Sequence, residues 1–457
     1  MAERALKKAI SLNESNTFAY NNLAIIKNKQ LKFDEAWDLI EFATTKNPMP
    51  PQFWENKAEI LTQLILSGET SRGTFSDVGY FLVRANYFPT GIYEAFSSIQ
   101  KYLTREQVQE IISGMINMDI FYSETVKDCV VKPEAYFNIY QKSIEIVAML
   151  NVTEIEEIEF AHYTTTDTAN KLIFENSNFR LHTVTTANDP EEGYPLLDFI
   201  GFPHSYLPNF YQAFVGSFTF NPDSLNQFRL YGKNDNIEGT GTSLVLSYRY
   251  FATESKINNN LTNPQSVISH KAKQSLFRCI YIDPVSKRIV SLGHREAGVF
   301  YRDYPYDDSE KEKKMNLYLD RINNLKNDVE GALSDLTSQI QILFEEIRSQ
   351  QNLELEALKI IPLLLIHLRY LVKHSAFKEE QECRIIQVEP LQNNSRIKMT
   401  PDNCRMYIDY IPFHNGNKSY LRSIYWGPKT LNFELFRDRI TQLGMDIECY
   451  KNYHPFD

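Results

Sequence analysis

Through roughly the first 150 residues apolar side chains return every three or four positions, and beyond them they alternate. The chain therefore reads as a helical part followed by a part rich in strands. Within residues 1–70, Tyr20, Leu23 and Ala24 are followed by Ala36, Ile40, Ala43 and Pro48, and Trp54 and Ala58 reopen the arrangement. The interval is about 34 residues, the length of a helix-turn-helix repeat whose small residues let paired helices approach closely. Ala2, Leu6, Ala9 and Asn16 read as the second half of an earlier unit, so the chain is expected to begin inside an array. Residues 71–154 continue as helices without a legible repeat, at 78–84, 90–102, 105–118 and 135–150. Thr104 and Gln107 have the spacing of a capping box. Asn151-Val152-Thr153 reads as a hinge.

Strand patterns then take over at 155–163, 179–183 and 214–220, with a helix at 166–175. Gly239 and Gly241 precede another β-rich run at 243–251, and 276–282 is a further strand. A long, highly charged helical stretch fills 307–374, opening on the solvated run 307–314, and strands return at 380–388, 406–410 and 423–426. Short strands with few intervening helices favour α+β over a doubly wound sheet. The expected organisation is 1–70 repeats, 71–154 a helical continuation, and 155–457 an α+β module with a helical insertion at about 307–374.

Composition narrows the function. With 58 acidic against 48 basic side chains the net charge is −10, the wrong sign for coating nucleic acid, although a local basic groove is left open. The five cysteines are scattered and form no CxxC pair, which argues against a disulfide framework or a zinc site and for a reducing, cytoplasmic setting. The N-terminus lacks the apolar run of a signal peptide. The strongest apolar stretch, 360–366, contains Pro362 and runs into His367 and Arg369, so it reads as a buried helix rather than a membrane span.

Candidate chemistry gathers in the α+β part. Ala161-His162-Tyr163-Thr164 lies where a strand gives way to a helix, although a lone histidine there is more often structural. Phe179-Arg180-Leu181 leads into a polar turn containing Asn188-Asp189-Pro190, which is turn chemistry whatever the function. Ser217-Phe218-Thr219 precedes Asp223-Ser224, either of which can cap a short helix carrying Arg229 and Tyr231. Arg229 could hold a phosphate and Tyr231 could stack on a planar ring, or both could simply cover the sheet. In Glu380-Gln381-Glu382-Cys383-Arg384, read as a strand, Glu380, Glu382 and Arg384 share one face. Two carboxylates beside a guanidinium invite a pKa difference between the acids, against the plainer reading of a solvated, ion-paired face. No GxGxxG, Walker loop, HExxH or GxSxG is present.

The N-terminal alanine pattern resembles tetratricopeptide repeats, which implies a concave face for a protein partner. The ordered series His162-Tyr163-Thr164, Asn188-Asp189-Pro190-Glu191-Glu192, Ser217-Phe218-Thr219, Phe377 to Arg384 and Ile424-Tyr425-Trp426-Gly427-Pro428 resembles a bacterial family catalogued as domain of unknown function 2971, over roughly residues 160–457. Arg229, where that family often has an aromatic residue, and the long helical segment depart from its pattern.

A looser resemblance, at the level of fold, is to NAD-using ADP-ribosyltransferases with a His-Tyr-Glu arrangement. It implies NAD as substrate and no metal. His162 would then clamp the nicotinamide ribose, Tyr231 would stack on nicotinamide and Glu382 would face the anomeric carbon. Glu380 would activate the acceptor, Arg180 or Arg384 would hold the pyrophosphate, and Tyr163, Asn188 and Ser217 would line the ligand. The expected protein is a mono-ADP-ribosyltransferase-like enzyme, steered by its repeats to a target, as a toxin, effector or defence protein. The alternatives are a non-enzymatic module binding a nucleotide or partner, and a nucleic-acid-processing toxin using His162 and the glutamates.

Overall fold

A computed structural model describes residues 2–85, 103–116, 133–153, 157–184, 191–204, 211–234, 236–251, 254–255, 272–273, 276–303, 307–348, 358, 361–391, 394–401, 404–415 and 418–452. Mixed α and β structure is observed, with helices first. The predicted helix at 90–102 and the Asn188 turn lie outside the described residues. The chain divides into two units.

The first unit is helical. Its helices are α1 (Ala2–Leu12), α2 (Thr17–Lys29), α3 (Phe33–Lys46), α4 (Pro51–Leu66), α5 (Phe75–Arg84) and α6 (Arg105–Ile116). Asn16 caps α2 by accepting from Ala19 N, and Pro51 begins α4, where a missing N–H costs nothing. Ala24, Ala36, Ala43 and Ala58 are all buried, as close helix packing requires. Thr104 and Gln107 form the predicted capping box, Thr104 N donating to Gln107 Oε1 (2.7 Å) and Gln107 N to Thr104 Oγ1 (3.3 Å). A lysine is buried here among rings: Lys57 Nζ lies 5.2 Å from the Trp37 and Trp54 centroids, 4.6 Å from Phe81, and 2.6 Å from Glu41. Helix α7 (Pro133–Met149) closes the helical run, its residues from Lys142 on being counted with the second unit.

The second unit holds the sheet. Its first half runs β1 (Glu159–Thr164), α8 (Thr166–Phe174), β2 (Asn178–Thr183), α9 (Pro195–Ile200), β3 (Tyr211–Thr219), α10 (Leu225–Leu230) and β4 (Thr242–Ser247). Then come β5 (Phe277–Arg278), β6 (Ile280–Asp283), β7 (Arg288–Leu292), α11 (Ala297–Asp303) and the long α12 (Asp308–Arg348), whose residues from Gln339 on are counted with the first unit. The chain continues through α13 (Ile366–Arg369), β8 (Val372–His374), a 3₁₀ turn (Ser375–Glu380) and β9 (Glu382–Pro390). It ends with β10 (Ile397–Met399), β11 (Met406–Pro412), β12 (Leu421–Trp426), α14 (Phe433–Gln442) and β13 (Glu448–Lys451). The main sheet is ordered β10-β11-β2-β3-β1-β4-β12-β13, with β9 paired to β3 and β5. One face packs a core rich in rings, including Phe160, Phe214, Phe218, Tyr250 and Trp426. Asp307 caps α12 by accepting from Glu310 N (2.9 Å), as its solvated start predicts. No helix among the described residues is long and apolar enough to cross a membrane.

One irregularity in this sheet positions the site. Strand β3 pairs with β2 at Phe214 and Val215 but with β1 only at Thr219, antiparallel in both cases. On its other edge β3 pairs with β9 along its whole length, Glu382 opposite Thr219 and Arg384 opposite Ser217. The sheet thus splits beside Gly216, Ser217 and Phe218, and a cleft opens where β1 and β2 part. A second buried ionic cluster fixes the neighbouring segments: Glu157 accepts from Arg278 (3.0 Å), Arg295 (3.1 Å) and the Tyr318 hydroxyl of α12 (2.5 Å).

Candidate functional site

The cleft has a volume of about 310 Å³, within the usual range for a small-molecule site. Its walls come from β1, β2, β3, β8, α10 and the Glu380–Arg384 segment.

Its deep end is a cluster of five ionisable side chains, all buried: Glu192, Lys373, Glu380, Glu382 and Arg384. Arg384 spends every donor it has. Its Nε bonds Glu382 Oε1 (2.7 Å), one terminal nitrogen bonds Glu192 and the Tyr370 carbonyl (2.7 Å), and the other bonds Glu192 Oε2 (3.1 Å) and Glu382 Oε2 (2.9 Å). A guanidinium has five N–H groups, so none is left for a pyrophosphate. The role anticipated for Arg384 therefore changes from ligand holder to anchor. Lys373 Nζ bridges the two acids, donating to Glu380 Oε2 and to Glu382 Oε2 (2.8 Å).

Glu380 is not on a strand. It ends the 3₁₀ turn, and β9 begins only at Glu382. Between them Gln381 adopts φ 45°, a left-handed conformation uncommon for a side chain with a Cβ. Three contacts hold it there: Gln381 Oε1 accepts from His294 N (2.8 Å), Nε2 donates to Lys378 O (2.9 Å) and its carbonyl accepts from Phe220 N (3.1 Å). Backbone strain fixed this firmly is a feature of working sites. Both carboxylates turn to the same cleft, as strand alternation had suggested, but by another route. Close packing behind them needs Gly293, where a Cβ would stand 2.2 Å from the Glu382 carbonyl oxygen.

The two acids are poised differently. Burial disfavours ionisation of Glu382, but Arg384 and Lys373 outweigh it and hold the carboxyl at about 2. Burial dominates at Glu380 and raises it above the ordinary glutamate value; Lys373 pulls it down while the Glu382 charge pushes it up. Charge count explains the asymmetry, because three carboxylates face two cations and the cluster is neutral when Glu380 is protonated. Tyr231 donates its hydroxyl to Glu380 Oε1 (2.7 Å), and the Glu380 carbonyl accepts from Thr219 Oγ1 (2.7 Å).

The other end of the cleft is basic and aromatic. His162 Nδ1 lies 2.9 Å from Ser217 O, one of the backbone groups beside the split in the sheet. A carbonyl only accepts, so Nδ1 carries the proton and Nε2 presents a lone pair. Burial lowers the His162 pKa, which keeps the ring neutral, and Phe179 and Phe218 wedge it in place at 4.9 and 5.6 Å between centroids. His182 is pushed down to about 4 by burial and by the charges of Arg405 and Arg180, and its Nδ1 is buried without a partner. Arg180 stacks 4.3 Å from the Tyr407 centroid and lies 3.9 Å from Asp409, half exposed at the rim.

Residues 227–385 match a protein family of unknown function, DUF2971. Neither a curated protein nor a solved structure matches the chain. The DUF2971 match contains Tyr231, Lys373, Glu380, Glu382 and Arg384, the acidic end of the cleft, while His162, Arg180 and Ser217 fall outside it.

Of the residues expected at the site, His162, Tyr163, Arg180, Ser217, Tyr231, Glu380, Glu382 and Arg384 all line the cleft. Asn188 lies outside the described residues. Two side chains are engaged in ways the sequence did not suggest. The Tyr163 hydroxyl is consumed by the turn before α10, donating to Asn221 O (2.9 Å) and accepting from Ser224 N (2.8 Å), and so positions the cleft wall. The Tyr231 hydroxyl is committed to Glu380. Arg229 leaves the cleft altogether and faces Glu238 at 3.9 Å. Sequence reasoning missed Lys373, His182 and Arg405, and it quoted Glu192 in a motif without a role at the site. A lone lysine carries no motif, and Glu192 meets Arg384 across 192 positions.

Proposed function

We propose that the cleft is the active site of an NAD-consuming enzyme that breaks the nicotinamide–ribose bond and transfers ADP-ribose, with Glu382 and Glu380 in divided roles. The observation that carries this reading is the opposite displacement of two carboxyls bridged by one lysine at the end of a ligand-sized cleft. Glycosidic cleavage builds positive charge at the anomeric carbon. An acid that stays ionised stabilises that charge, and a second acid of raised pKa exchanges the proton. Glu382 suits the first task. Glu380 suits the second, and when it ionises the cluster gains the net negative charge that an oxocarbenium-like centre favours. Tyr231 and Lys373 orient the Glu380 carboxyl. Neutral His162 can accept from a ribose hydroxyl through Nε2, and Arg180, with Arg405 beside it, offers charge to the pyrophosphate at the rim. The helical unit, under this proposal, docks a protein target through tetratricopeptide-like repeats, and the scattered cysteines support action in the cytoplasm.

A second reading, a cleft that binds a nucleotide without turning it over, is favoured by the saturation of Arg384, which is how a rigid binding site is built. One experiment separates them. The protein is incubated with NAD labelled in the adenosine half, with cell lysate as acceptor, and free nicotinamide and macromolecular label are both measured, with Glu382→Ala as control. Release by the wild type and loss in the variant support the enzyme. Saturable NAD binding with no release supports the binding module.

A further inference from the structure

Among the described residues Lys27, Lys57, Lys373, Arg278, Arg295 and Arg384 are buried cations, and each of them meets a carboxylate. Arg369, 7% exposed, is buried with them and meets none among the described residues. Its Nε donates to the Gly193 carbonyl (3.2 Å), and its guanidinium carbon lies 5.3 Å from the centroid of the Tyr370 ring. The four N–H groups on its terminal nitrogens bond to no described residue, and neither nitrogen is sealed from the surface. Two carboxylates on the adjoining segment are spent elsewhere, Glu192 on Arg384 and Asp198 on His204 (2.9 Å). Burial lowers the Arg369 pKa below the ordinary guanidinium value, and the Tyr370 and Tyr194 hydroxyls act against it. Burying a charge without a counter-charge is costly, and one carbonyl and one ring offset only part of that cost. The placement is nevertheless tightly built. Gly193 adopts φ 82°, and a Cβ there would stand 2.7 Å from the Tyr370 ring, so carbonyl, ring and guanidinium are locked together. Arg369, Gly193, Tyr194 and Tyr370 do not line the cleft. They lie behind its deep end, where Glu192 and the Tyr370 carbonyl hold Arg384.

We infer that Arg369 anchors a second binding site, separate from the cleft, for a small carboxylate carried on a flat apolar body. The free N–H groups of a guanidinium match the two oxygens of a carboxylate. One negative charge balances one buried cation, whereas a phosphate monoester carries about −1.5 to −2 at neutral pH and would leave the site overcharged. Tyr370 beside the guanidinium, and the half-buried Tyr194 whose hydroxyl also acts on it, offer ring faces for the body of the ligand. The inference stands without the NAD reading of the cleft, because the two carboxylates and the lysine of the reactive cluster take no part in it.

The test uses the full chain without NAD. Thermal melts and calorimetric titrations are run with benzoate, with benzamide as its uncharged isostere and with phenyl phosphate, on the wild type, Arg369→Met and Arg369→Lys. Without ligand, Arg369→Met is expected to melt at or above the wild-type temperature, because an apolar stem replaces a charge that has no counter-charge. Benzoate at roughly ten times its Kd is expected to raise the wild-type melting temperature by about 2–4 °C and to leave Arg369→Met unmoved. Arg369→Lys keeps the charge but not the fork, so it should bind benzoate about tenfold more weakly or worse, and benzamide should bind to none of the three. A benzoate shift equal in wild type and Arg369→Met, or no shift and no heat of binding in the wild type, overturns the site. Tighter binding of phenyl phosphate than of benzoate overturns the carboxylate assignment. Melting of Arg369→Met well below the wild type without ligand would reveal a counter-charge within the chain and overturn the inference as well.

Discussion

The helical unit buries Lys27 and Lys57 and the sheet unit buries Lys373, and of these Lys57 and Lys373 are neutralised in opposite ways. In the helical unit Lys57 sits among Trp37, Trp54 and Phe81, with one carboxylate, Glu41, at its exposed end. In the sheet unit Lys373 bridges two carboxylates of opposite pKa displacement, at the end of a cleft. Rings offer a fixed field that does not titrate, so the first arrangement can only stabilise. Competing acids offer a field that changes with one proton, so the second can do chemistry. The contrast teaches that burial of charge alone does not mark a site; an imbalance of charge facing a cavity does.

The contrast is broken most severely at Lys373. Lys373→Met leaves two buried acids without their shared cation and is expected to destabilise the protein by about 3–5 kcal/mol in urea unfolding. A smaller loss, near that of a surface change, would mean that the cluster is open to water. Next in size is the pH response of Glu380→Gln. A carboxyl whose folded pKa is raised contributes stability below its unfolded pKa and loses it as pH climbs through the folded value. The variant lacks that loss, so thermal melts should show it more stable than wild type at about pH 8, with the gap closing toward roughly pH 4, the ordinary glutamate range. Glu382 works the other way. Its pKa is depressed, so its contribution is present above the ordinary range and disappears as pH falls toward about 2.

Arg180→Ala tests the rim. If the cleft takes NAD as proposed, removal of this half-exposed charge should raise KM for NAD by about threefold to tenfold and leave kcat alone. An equal fall in kcat would move Arg180 into the chemistry. The smallest effect belongs to the other lysine. Lys57→Met keeps the aliphatic packing against three rings and should cost about 1 kcal/mol, with nicotinamide release unchanged.

Local pattern made much of this legible. The strand carrying His162, the Ser224 cap of α10, the long helix after Asp307 and the series through Arg384 are each written within a dozen residues or so, where periodicity and capping rules operate. Sequence alternation brought Glu380 and Glu382 together for a reason that proved incomplete. A 3₁₀ turn followed by one left-handed residue gives the same parity as a strand, and no rule for strands foresees a positive φ at glutamine. Lys373 was illegible because its meaning lies in two carboxylates met after a turn, and Glu192 because its partner is far along the chain. The split of β3 between β2 and β1 is a property of pairing, and single strands do not announce their partners.

The most direct measurement is the pH profile of nicotinamide release, kcat/KM for NAD, in wild type and Glu380→Gln. The account predicts an acidic limb in the wild type that lies above the ordinary glutamate value of about 4.3. It also predicts a fall of about 10² or more in Glu380→Gln, with the limb abolished. A limb that persists unchanged in Glu380→Gln, or a variant that retains the wild-type rate, would contradict it.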